Sequence, residues 1–155
     1  MRKSPVLFAT LAVVLIGAAG ASGVFLVGSK QRRADRKAYL AYERAVLVPI
    51  DAVWGVVEEM RSGARDDLTV QVWRGALAQA RSMIANLDPP SFLRDVEERW
   101  TRALDAYDAA AQQGGPDALR RADGLFEDAA RVMQFHRHRL GLGPTTKLPD
   151  PAVRR

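Results

Sequence analysis

Apolar residues recur at alternating spacings of three and four along four stretches of this chain, the signature of helices that each bury one stripe. In the first, Tyr39, Tyr42, Val46, Pro49, Val53, Val56 and Met60 keep the register, and Leu47, Ile50, Trp54 and Val57 widen it. The second runs from about Asp66 to Leu87, with Leu68, Val72, Ala76, Ala80, Met83 and Leu87 on one side. Asp88-Pro89-Pro90 ends it, because proline cannot continue the hydrogen-bond ladder and disfavours helical geometry at the residue before it. Ser91 is placed to cap a third helix with the stripe Leu93, Val96, Trp100, Leu104, Tyr107 and Ala111. Gly114-Gly115-Pro116 breaks the pattern again. The fourth stretch, Asp117 to Leu140, reads Leu119, Ala122, Phe126, Ala129, Met133, His136 and Leu140, and Gly141 is placed to stop it.

Four amphipathic helices with short connections predict antiparallel neighbours. No segment alternates with period two in strand-forming residue types. The expected fold is therefore all-α: an antiparallel up-down-up-down four-helix bundle over residues 38–140, followed by a disordered tail over residues 141–155. Nothing between Ser29 and Val48 stops a helix, so the segment before the bundle is expected to run into its first helix, with a kink at Pro49.

Residues 1–29 differ in kind from the rest. The apolar run Val6 to Val27 is 22 residues long; as a helix it covers about 33 Å, enough for a hydrocarbon core. It reads either as a cleaved secretory signal ending at Ala19-Gly20-Ala21 or as a transmembrane anchor. Apolar character resumes at Val24-Phe25-Leu26-Val27, beyond that cleavage site, which favours the anchor; cleavage would make the chain secreted. Gly17, Gly20, Ala21 and Gly23 would let a second such helix approach, so a homo-oligomer is a possible state. Orientation signals conflict. The basic cluster in residues 30–37 argues for a cytoplasmic bundle, whereas the short charged start at Arg2-Lys3 argues for export. The expectation is a single-pass protein of the cell membrane with an extracytoplasmic bundle.

Charge narrows the partners. Of the formal net charge of +5, residues 1–29 carry +2, residues 30–37 carry +4 and residues 141–155 carry +2, leaving −3 for the bundle. The positive charge thus lies beside the apolar run, where Lys30, Arg32, Arg33, Arg36 and Lys37 are expected to meet lipid head groups; nucleic acid is not expected as a partner. With no cysteine, disulfides, thiolate metal sites and a lipoprotein anchor are excluded. Arginine (19) far outnumbers lysine (4), as a genome rich in G and C would dictate.

Candidate chemistry is sparse. His136 and His138 lie two apart, about 200° around a helix, and cannot chelate one ion from one face; they read as positive charge at a helix carbonyl end. No Glu-x-x-His repeat of a di-iron bundle occurs, and no hydrolase elbow, phosphate loop or dinucleotide fingerprint. The acidic residues have arginines four positions away, as in Asp95/Arg99, Glu98/Arg102, Arg94/Glu98, Asp117/Arg121 and Glu127/Arg131, the spacing of surface ion pairs. No catalytic, metal or cofactor site is expected. Trp54 and Trp73, which flank the main stripes, are the candidate partner-binding residues.

Leu87-Asp88-Pro89-Pro90-Ser91-Phe92-Leu93 and the helix after it resemble a pattern of bacterial exported or membrane-anchored four-helix bundles of unassigned function. The arrangement is also similar to the ligand-binding domain of bacterial chemoreceptors, although nothing after Leu140 is apolar enough to return to the membrane as theirs does. These resemblances carry over no functional residue. The reading they leave is a membrane-tethered, non-catalytic interaction or scaffold module of the bacterial envelope whose partner is another envelope protein. The alternative is a bundle whose core holds a small molecule, lipid or cofactor.

Overall fold

Glycine and proline partition the chain into helices much as the pattern predicts. The structure, a computed structural model, describes residues 6–63, 65–143 and 145, with side chains from Ser29 onward. The helices are α1 (Val6–Ser62), α2 (Asp67–Ala85), α3 (Arg94–Gln113) and α4 (Pro116–Arg139), with one 3-10 turn at Ser91–Leu93 before α3. No strand occurs among the described residues.

Each boundary has a local cause. Gly63, at φ 78°, follows the end of α1, and Asp66 caps α2 by accepting a 2.8 Å bond from the Thr69 N–H. That bond also holds the Asp66 carboxyl below its ordinary range. Ser91 makes no cap: the prolines feed a tight turn closed by Leu93 N–H on the Pro90 carbonyl at 2.7 Å, and α3 starts only after Leu93. Gly114 and Gly115 take φ of 69° and 90°, which a side chain would resist, and Pro116 opens α4 where its missing N–H costs nothing.

The end of α4 corrects the expected tail boundary. Gly141 N–H bonds the His138 carbonyl at 2.8 Å and Leu142 N–H bonds the Arg137 carbonyl at 3.0 Å, a paired closure that needs the positive φ of Gly141. Leu142 then packs on the core, so ordered chain extends past residue 140. Of the rest of the expected tail, residues 144 and 146–155 lie outside the described residues.

The chain divides into two units, Met1–Lys37 and Ala38–Arg155. In the first, the backbone is helical from Val6. The side chains of the apolar run, on which the expected membrane span rests, lie outside the described residues. Among the described residues no helix is long and apolar enough to cross a membrane.

The second unit is the four-helix bundle, and cross-helix bonds show its antiparallel order. Tyr39 pairs with Met133 and Arg61 with Asp123 between α1 and α4; Trp100 pairs with Met133 and Tyr107 with Asp123 between α3 and α4. Arg74 with Asp108 and Arg81 with Asp105 tie α2 to α3. Phe126 sits at the centre, its ring 5.3 Å from Trp54, 5.0 Å from Trp100 and 6.0 Å from Tyr107. α1 continues through the buried Pro49 as a single helix.

Helix α2 presents a different face from the one expected. Trp73, Leu77, Ala80 and Ile84 are buried, whereas Leu68, Val72 and Met83 of the expected stripe are exposed. Both sets obey three-four spacing and share Ala80. The bulkier set goes inside because it removes more apolar area from water.

Candidate functional site

The two ends of the bundle hold its polar groups, and they are built differently. The end near Tyr39, here the proximal end, is closed. Glu43 on α1 is buried and takes both oxygens' worth of bonding from Arg137 Nη1 on α4, at 2.8 and 2.6 Å. Tyr39 O–H bridges the same carboxylate and the Met133 carbonyl, at 3.2 and 2.9 Å. Burial, then the nearby Glu43 charge, pushes the Tyr39 hydroxyl pKa up. Beside them, His136 is buried between the Phe92 and Phe135 rings, with Nε2 3.8 Å from Asp95. Desolvation lowers its pKa, with Asp95 opposing and Arg139 assisting.

The distal end, where the α1–α2 and α3–α4 turns meet, leaves an open cavity of about 470 Å³. Met60, Trp73, Ala110 and Leu119 supply apolar wall, and Arg61, Arg65 and Arg120 bring three guanidinium groups to it. At its floor Asp123, buried on α4, accepts from Tyr107 O–H at 2.7 Å and from Arg61 Nη2 at 2.8 Å. Arg61 also bonds Glu58 at 3.0 Å and lies 5.0 Å over the Trp54 ring. Burial and the Asp123 carboxylate raise the Tyr107 pKa. Arg65 donates to the Gln112 carbonyl and lies against Gly114, where any Cβ would fall on its guanidinium.

Trp54 and Trp73 are not a surface patch. They are 6% and 3% exposed, Trp54 packed on Phe126 and Trp73 donating its Nε1–H to Glu59 at 2.9 Å. Their position beside the expected stripes reflects the breadth of the buried faces, which take in flanking rings as well as the central row. The apolar surface lies instead on α2, where Leu68, Val72 and Met83 are 72%, 60% and 40% exposed. Lys30, Arg32, Arg33, Arg36 and Lys37 are all exposed. His138 is exposed and His136 buried, so they share no site, and among the described residues no group of three metal-ligating side chains gathers.

Several ion pairs differ from the spacing rule. Glu98 does meet Arg102, at 3.4 Å, but Arg99 bonds Asp128 across to α4 and Asp117 bonds Arg120 rather than Arg121. Sequence reasoning missed Glu43, Asp123 and the arginines facing them. The signal was there for two of these: Glu43 sits between Tyr42 and Val46, and Asp123 between Ala122 and Phe126, each a carboxylate set inside an apolar stripe. No protein-family model, curated protein or solved structure matches the chain.

Proposed function

We propose that the chain is a membrane-tethered, non-catalytic interaction module of the bacterial cell envelope, which docks a helix of another envelope protein along the outer row of α2. The observation that carries this reading is that row itself: Leu68, Val72 and Met83 stand in solvent on a helix whose core face is already filled. The two arginines of α2 are turned elsewhere, Arg74 to Asp108 and Arg81 to Asp105 on α3. Gly75, with open space where a Cβ would stand, lies midway along the row and lets a helix come close.

Covering the three apolar side chains is worth about 1.5 kcal/mol or more each, against an association cost of roughly 4 kcal/mol upward. The row alone therefore gives weak binding. Confinement of both partners to one membrane supplies the missing effective concentration. The apolar run Val6 to Val27 and the five exposed basic residues after it support the tether.

The test is a photoreactive side chain introduced at Val72 in living cells. A discrete adduct, lost in Leu68→Glu and absent when the probe stands at Arg102, is the expected outcome. Equal labelling at both positions overturns the docking row, and an adduct of twice the chain's mass makes a second copy the occupant.

A further inference from the structure

The distal cavity is not used by that docking row, and its chemistry points to a ligand of a definite kind. Its volume of about 470 Å³ lies within the range of small-molecule sites, roughly 300–1,000 Å³. Such sites pair an apolar wall with a few polar groups that fix orientation. Here the wall is Met60, Trp73, Ala110 and Leu119, and the polar groups are mainly guanidinium.

Asp123, the one carboxylate lining the cavity among the described residues, is already committed, as are several carboxylates on the flanking helices. Asp123 is held by Arg61 and Tyr107, Glu58 by Arg61, Glu59 by Trp73, Asp66 by the first turn of α2, and Asp117 by Arg120. Arg65 is different. Its described partner is the neutral carbonyl of Gln112, so no carboxylate among the described residues offsets its charge. A carbonyl near the C-terminus of α3 attracts a cation in any case, which explains one of its bonds. It does not explain the cavity beside it, nor the remaining donors of a five-donor fork.

We propose that this cavity binds an organic anion: a carboxylate, sulfonate or phosphate monoester carried on an apolar ring or short chain. The anionic head meets Arg65 first, with Arg120 adding the guanidinium donors that its bond to Asp117 does not use, and the apolar body lies against Trp73 and Leu119. Arg61 stays with Asp123 and forms the floor.

The probe is naphthalene-1-sulfonate, compared with the like-shaped cation 1-naphthylmethylammonium. Each is titrated calorimetrically against the full chain in phosphatidylcholine nanodiscs, with empty discs as reference. The anion is expected to bind about tenfold more tightly or better, the worth of one charge-assisted hydrogen bond. Arg65→Gln combined with Arg120→Gln should bring the two within about threefold while the cation's affinity holds, and Leu119→Trp, which fills the space, should abolish both without lowering the melting temperature. No binding, equal binding of anion and cation to the unaltered chain, or a preference that survives the two arginine changes overturns the proposal. So does a cation affinity that falls together with the anion's, because the changes would then have collapsed the cavity rather than discharged it. None of these outcomes bears on the α2 row, which photocrosslinking tests separately.

Discussion

The proximal and distal ends of the bundle use the same vocabulary, a buried carboxylate bonded by an arginine and a tyrosine, and reach opposite results. At the proximal end Tyr39, Glu43 and Arg137 fill the space between α1 and α4, with His136 and the Phe92 ring packed alongside. At the distal end Tyr107, Asp123 and Arg61 form a floor and leave about 470 Å³ above it. The difference lies in what closes each end. The proximal end is covered by a 3-10 turn and by the packed Leu140 and Leu142, whereas the distal end is bounded by two glycine-containing turns whose long side chain, Arg65, lines the space and brings no apolar bulk to close it. A polar cluster of this type stabilises packing where large residues surround it, and borders a site where small ones do.

Breaking the closed end should have the largest effect. Glu43→Ala leaves the Arg137 guanidinium mostly buried without its carboxylate and removes a bond from Tyr39; the expected loss is about 3 kcal/mol in chemical denaturation. The next prediction compares filling in the closed core with filling at the distal end. Ala129→Leu, at a fully buried site, should cost about 1–3 kcal/mol by overpacking, whereas Ala110→Leu, facing the cavity, should cost less than about 1 kcal/mol or stabilise. Equal costs would mean that the distal space is not there in solution.

A smaller, pH-dependent effect belongs to His136. Its folded pKa lies below the unfolded value, so the unfolded state binds the proton more readily and stability falls as pH drops below about 6.5. Asp95 partly offsets this. The melting temperature should therefore slope upward between about pH 5 and 7, and His136→Gln should flatten the slope. The smallest effect is expected for the exposed pair Arg81–Asp105, where a double-mutant cycle should give a coupling of only a few tenths of a kcal/mol.

Helix number, order and most boundaries were legible because prolines and glycines act locally: Pro89-Pro90, Gly114-Gly115-Pro116 and Gly141 each end or start a helix by their own geometry. The buried face of α2 was not, because Leu68, Val72 and Met83 compete with Trp73, Leu77 and Ile84 at the same period, and only the shape of the neighbouring helices decides which row is covered. The tryptophans were misplaced for a related reason: a ring at the edge of a stripe is long enough to reach the core. The distal cavity was illegible, since it is defined by what two turns fail to fill. Glu43 and Asp123 were legible in principle, because a carboxylate inside an apolar stripe has to find a donor there.

The Asp123 carboxylate has a further consequence. One oxygen is shared by a donor from α1 and a donor from α3 while its own backbone belongs to α4, so three helices meet at a single atom. Sliding α4 by one turn, about 5.4 Å, against either neighbour would carry that atom out of reach of at least one donor and strand a buried charge. Apolar stripes alone tolerate such slippage, because one row of alanine and leucine resembles the next. Asp123 acts as a notch that gives the bundle one axial alignment among several its hydrophobic surfaces would accept.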